Sequence, residues 1–351
     1  MQLLLIVELI QYSPREGATT PLGKKTMKNS GVAIGALACM LPLLVIAQTR
    51  ESGPWWPNPN WGPEDQAGAS NLITPAKVME AAQLVETGKI YELGQLFESG
   101  MPSFGQRTYS MRVPIKAPAE GSNGVVGYDE FVSGEIGHVG TQLDGVGHIG
   151  REIIMADGQV EHVFYNGFTA REMDAPHGLQ KLGIEHMRPI ITRGLLIDIA
   201  GYKGVDRLPN SYEVTVADVQ GALARQGISE AGIRAGDAVL FRYGWSQLWR
   251  QPDAYNHNPP GIGLEAARWI ARHQAVAVGS DSWTGEVVPN PDPELFFPVH
   301  QELITYNGIF ILENLKFEEL VSDGVSEFLF IVTPIPFKGA TGSPLRPIAI
   351  R

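Results

Sequence analysis

The chain has 351 residues, a formal charge of −11, 44% apolar residues and 19% charged residues. That balance supports a folded core but offers no basic surface to meet a phosphate backbone, so nucleic acid is excluded as a partner. A single cysteine, Cys39, excludes an internal disulfide framework and a zinc site built from thiolates, so any metal must be held by His, Asp, Glu or amide oxygen.

Residues 1–47 have the texture of an export signal. Lys24, Lys25 and Lys28 precede an uncharged apolar run from Val32 to Ala47, which exits to Gln48-Thr49-Arg50. A basic start, a short apolar stretch and a small-residue exit describe a secretory signal peptide, and the run falls short of the about 20 apolar residues of a membrane span. Met27 would serve as an alternative start, leaving residues 1–26 as upstream sequence. Cleavage after Ala47 is predicted, with a periplasmic or secreted mature chain that lacks cysteine and has no membrane partner. An uncleaved N-terminal anchor is the alternative. Ala36-Leu37-Ala38 makes a poor lipobox for a lipoprotein at Cys39.

Residues 51–65 carry Trp55, Trp56 and Trp61 among Pro and Asn. Proline fixes φ and lacks a donor, so this is loop, and its indoles need a surface to cover: core, a second subunit or a ligand. Thr74-Pro75 predicts a helix start, with Gly88 ending the helix after Thr87. Further helices are predicted over Thr215–Gln226 and Leu264–His273. Short apolar runs at Gly194–Asp198, Ala238–Arg242, Ala275–Gly279, Ile309–Leu312 and Phe328–Val332 have strand length and are bounded by Gly, Asp or Pro. Strands interleaved with helices indicate a mixed α/β fold with a largely buried sheet. No repeat or linker divides residues 52–351, which read as one catalytic domain.

The densest chemistry lies in His138-Val-Gly-Thr-Gln142-Leu-Asp144-Gly-Val-Gly-His148. In an extended segment, residues two apart share a face. His138, Gln142 and Asp144 would then point one way, with His148 continuing the even spacing. Glycines at 137, 140, 145, 147 and 150 argue against a helix and for a backbone bent closely around something. Imidazole and carboxylate ligands suit zinc or manganese, and Gln142 would add an amide oxygen. A hydrogen-bonded polar cluster in a turn is the alternative. His300 precedes a predicted helix or turn at Gln301–Tyr306, and Glu313 emerges from a buried strand. A carboxylate there needs a metal or a cationic partner. No G-x-S-x-G elbow, phosphate loop or dinucleotide fingerprint is present.

The run 138–148 resembles the H-x-G-T-H-x-D-x-x-x-H signature of the cyclase family of metal-dependent hydrolases, which includes kynurenine formamidase and isatin hydrolase. Arg193–Asp198, Gly236–Trp245, His300, Ile311–Leu315 and the ending Gly342-Ser-Pro344-Leu-Arg346-Pro fall in the family's order, so the resemblance covers roughly residues 52–351. It implies a swivelling β/β/α fold, a homodimer or homotetramer, and a Zn2+ or Mn2+ ion that activates water against an amide, formamide or lactam of a small molecule. Carried over by position, His138, Asp144 and Glu313 are metal ligands, with Gln142 standing where the family has a second histidine. His148 is the general acid/base, and His300 with Glu313 binds a second metal or orients water and substrate. Gln142 cannot change protonation state and donates less charge than imidazole, so the expectation is a metal that is held more weakly, is harder (manganese rather than zinc), or is single where relatives hold two. The Trp-rich loop, taken as an entry to the site, with Tyr128, Phe131 and Trp283, suggests an aromatic substrate. A lactonase, a lyase or dehydratase, and a non-catalytic exported binding protein are the competing functions.

Overall fold

The computed structural model describes residues 52–351; the predicted export segment and Cys39 lie outside the described residues. Nine strands form one curled sheet: β1 (Ile90–Glu92), β2 (Gln142–Asp144), β3 (Ile190–Asp198), β4 (Ala238–Arg242), β5 (Ala277–Ser280), β6 (Phe310–Glu313), β7 (Glu327–Val332), β8 (Gly342–Pro344) and β9 (Ile348–Ile350). Their order across the sheet is β1-β9-β7-β3-β4-β5-β6-β2-β8. The four central strands, β3 to β6, run parallel, and both flanks are antiparallel. Strands of a parallel core are covered on both faces and therefore read as unbroken apolar runs. Leu195, Leu196, Ile197, Val239, Leu240, Phe241 and Phe310 are accordingly buried.

Three helices are α1 (Pro75–Ala82), α2 (Val216–Arg225) and α3 (Leu264–Arg272). Thr74 caps α1 by accepting from Lys77 N, and Thr215 with Asp218 closes a reciprocal capping box on α2. The helix predicted over 74–87 stops early, at Ala82. Leu84 N and Val85 N bond three residues back, and Thr87 N and Gly88 N turn to Arg351 O at 2.9 and 2.6 Å. The C-terminal edge of the sheet thus draws the chain out of the helix. The other predicted elements shift by a few residues at most, except β3, which begins four residues earlier than the run that marked it.

Nothing in the sequence reading anticipated the two-stranded ribbons. Tyr109–Arg112 pairs with Phe131–Gly134, Ile115–Glu120 with Val125–Tyr128, and Arg151–Ile154 with Val160–Val163. The Trp-rich segment packs on the chain's own body. Trp55 Nε1 donates to Phe164 O at 3.2 Å, its ring lies against Trp56 and Tyr306, and Asn58 N donates to Asn166 Oδ1 at 2.7 Å. Among the described residues no helix is long and apolar enough to cross a membrane.

Candidate metal centre

The motif does not run extended from 138 to 144 as its spacing suggested. Gly140 sits at φ +62°, and a Cβ there would meet the Phe97 ring at 2.5 Å, so the backbone turns at a position only glycine fits. Strand geometry is confined to β2. Two bonds clamp the turn to the end of β6: Thr141 Oγ1 to Asn314 O at 2.7 Å, and Asn314 Nδ2 to Gly140 O at 2.6 Å. Antiparallel register then sets Gln142 directly opposite Glu313, and Gln142 Nε2 donates to Glu313 Oε2 at 2.7 Å. The site therefore collects at the carboxyl ends of the parallel strands, where open α/β sheets bind ligands.

Asp144, 1% exposed, is the hub. Its Oδ1 lies 2.8 Å from His138 Nδ1, and its Oδ2 lies 3.8 Å from His148 Nε2 and 3.6 Å from His300 Nε2. His300 Nε2 is also 3.4 Å from Glu313 Oε1. His138 and His148 stack with ring centroids 4.0 Å apart. All six residues singled out from the sequence are thus brought together, but not on one face. Gln142, Asp144, His148, His300 and Glu313 line a cavity of about 200 Å³, whereas His138 sits behind Asp144 with Nε2 held by Thr341 Oγ1 at 2.8 Å.

Burial dominates the electrostatics, and the charged partners decide the outcome. Burial pushes the His148 imidazole down to about 3, against the pull of Asp144. It would raise Asp144, but His148 and His138 hold that carboxyl well below the usual range. It would lower His300, but hydrogen bonds to Asp144, Glu286 and Glu313 carry it well above the ordinary imidazole value. Burial and the Asp144 charge push Glu313 up to about 7.

The residues present fit a divalent cation. Ligand atoms of His138, Asp144 and His148, and of Asp144, His300 and Glu313, lie within 4.8 Å of one another in two groups sharing Asp144. Gln142 Oε1 is buried with no hydrogen-bond partner, an unusual state for an amide oxygen unless something else satisfies it. Oxygen and imidazole donors together match the ligand types of zinc or manganese.

Two charged residues of this site escaped the sequence reading. Glu286, 1% exposed, accepts from the His300 Nδ1 side, from His300 N at 3.1 Å and from Val299 N at 3.3 Å. It therefore caps the short helix Pro298–His300 and directs Nε2 of the same imidazole at Asp144 and Glu313. The signal was its position: it follows β5 at a carboxyl end of the parallel core. Glu286→Gln removes the charge and leaves one acceptor oxygen in place of two. It is expected to lower kcat about 10- to 100-fold with little change in KM or melting temperature. Unaltered kcat in steady-state assays would remove Glu286 from this role. The second missed residue is Arg107, which lines the cavity beside Phe104.

The aromatic assignments need correction. Tyr128 and Phe131 are exposed on the ribbons, and neither they nor the tryptophans of 51–65 line the cavity. Trp283 does, stacked on Phe104 at 4.4 Å and 16°, and Phe297, edge-on to Phe104 at 6.2 Å, lines it together with Phe296.

A family model described as "Putative cyclase" matches residues 91–287, more than half of the chain. The chain belongs to the cyclase family. A solved structure described as a novel cyclase is 30% identical, with a TM-score of 0.73, covering 83% of this chain and 98% of its own. Isatin hydrolase A from Ralstonia solanacearum shares the cyclase fold at 21% identity and a TM-score of 0.55, covering 80% of this chain and 97% of its own. Isatin hydrolase A from Labrenzia aggregata, bound to benzyl benzoate, does so at 21% and 0.53, covering 77% and 94%. No curated protein matches the sequence.

Proposed function

We propose that the protein is a metal-dependent hydrolase of a C–N bond in a small amide, formamide or lactam, with a planar ring next to the scissile carbonyl. The observation that carries the metal part is the unpartnered Gln142 Oε1 beside Asp144, His300 and Glu313 on the cavity wall. Membership of the cyclase family and the isatin hydrolases among its structural neighbours support the hydrolytic part. The stacked Phe104–Trp283 pair supports a flat, apolar substrate body.

Asp144, Gln142 Oε1, Glu313 and His300 Nε2 would hold the cation, with His138 fixing the Asp144 carboxylate from behind through Nδ1. A bound divalent ion supplies Lewis-acid polarisation of the carbonyl and an acidified water. His148 lines the cavity, from where it can take a proton from the attacking water and return it to the leaving nitrogen. Carboxylic acid and amine are the products, with water's oxygen in the acid.

Metal content of the purified protein, measured alongside turnover of aryl formamides and aryl lactams in water labelled with heavy oxygen, tests this. A bound divalent metal and label in the acid product are expected. A protein that takes up neither zinc nor manganese, or a product without label, overturns the proposal.

A further inference from the structure

We infer that Arg107 binds a negatively charged group on the substrate, so that the preferred substrate is an anionic aryl amide rather than a neutral one. This rests on the hydrolase reading above and deepens it. Arg107 is the only Lys or Arg among the residues that line the cavity. Among the described residues its guanidinium makes a single hydrogen bond, from Nη1 to His138 O at 3.3 Å, near the long limit of such a bond. A guanidinium presents a fork of donors suited to a carboxylate, and most of that fork is unused here.

No described carboxylate approaches it closely enough to form an ion pair. Glu135 feels the Arg107 charge, yet its Oε2 is engaged by Thr108 N at 2.6 Å and by Thr108 Oγ1 at 3.4 Å. Arg107 is half-buried, and the fully buried Arg193 is treated differently. Arg193 is paired with both Asp237 and Glu327. An arginine facing a cavity, without an acid of its own, is a place for an acid brought by a ligand.

The surroundings indicate which part of the ligand arrives there. The guanidinium carbon lies 5.7 Å from the centroid of Phe104, and Phe104 stacks on Trp283. Arg107 thus stands over the Phe104 ring, beside the aromatic wall that Phe104 and Trp283 form. A ring lying on that wall would direct a ring substituent to the guanidinium while its carbonyl faces Asp144 and His148.

Ketone analogues of an aryl amide isolate this contact, because they carry the carbonyl but have no C–N bond to cleave. Binding of 3-acetylbenzoate, 4-acetylbenzoate and neutral acetophenone to the metal-loaded protein would be measured by calorimetry. At least one acetylbenzoate is expected to bind about tenfold or more tighter than acetophenone, the scale of one charge-assisted pair. Arg107→Met should reduce that preference to within about twofold while leaving acetophenone binding in place, and Arg107→Lys should restore part of it. Equal binding of all three ligands by the wild type, or a preference that survives in Arg107→Met, overturns the inference. Failure of the hydrolase reading looks different: the anion preference and its loss in Arg107→Met would stand, with no aryl amide turned over.

Discussion

Asp144→Asn is expected to strip the protein of bound divalent metal and to lower hydrolysis on the order of a thousandfold. Asn has nearly the same shape, so the change removes charge from the hub without opening a cavity. One amide cannot serve the imidazoles of His138, His148 and His300, which all approach the two carboxylate oxygens. The same variant makes a statement about stability in the metal-free protein. Asp144 is held well below the usual carboxylate range, so its ionised form stabilises the fold. That contribution is fully present above the ordinary value of 3.8 and is lost as pH falls toward the depressed folded value. The metal-free wild type should therefore melt higher than Asp144→Asn at neutral pH, and the gap should narrow in acid. Elemental analysis and thermal melts at two pH values check both halves. Full metal content in the variant would remove Asp144 from the ligand set.

The second large effect lies far from the site. Asp237, fully buried, accepts from Lys77 Nζ at 2.6 Å, from Arg193 Nε at 3.2 Å and from Arg234 N at 2.8 Å. Lys77 belongs to α1 and Arg193 to β3, so one carboxylate ties the first helix to the central strand. Lys77 and Arg193 are 5% and 4% exposed. Asp237→Ala strands these buried cations, and the expected loss is about 3–5 kcal/mol of unfolding free energy. Arg193 keeps Glu327 at 2.8 Å, which sets the loss toward the lower end. Adding Lys77→Met should recover part of it by removing one stranded charge. Urea denaturation of the three proteins tests this, and an unchanged midpoint for Asp237→Ala contradicts it.

How much of this was legible in the sequence depended on what each residue packs against. β3 to β7 were readable because strands buried on both faces must be apolar from end to end. α2 was readable because its cap, Thr215, and its stop signal, Gly227, sit next to it in the chain. The ribbon of Tyr109–Arg112 and Phe131–Gly134 was not, since strands with water on both faces carry no alternation to detect. The end of α1 was missed for a different reason: Arg351 O, distant in sequence, competes for its last amides. Within the site, His138, Gln142, Asp144 and His148 stood out as a local run, but the turn at Gly140 placed His138 behind the others. Glu313 and His300 were visible as buried polar residues and through the family's order. Arg107 depends on the fold to reach the cavity and Glu286 to reach His300, and no local pattern marks either.

The position of β2 in the sheet has a consequence in time. Both of its neighbours, β6 and β8, come much later in the chain than β2 itself. While the protein is being made, the motif strand waits with both edges open until Phe310–Glu313 and then Gly342–Pro344 emerge. Such distant pairings form late, after the local contacts of the parallel core. Glu313 and Thr341, which hold Gln142 and His138 in place, arrive with those same late strands. A nascent chain that halts before Gly342 would carry its core and every residue of the 138–148 run, yet have no finished seat for a cation. Loading of the site therefore waits until the chain has been made at least as far as Gly342–Pro344.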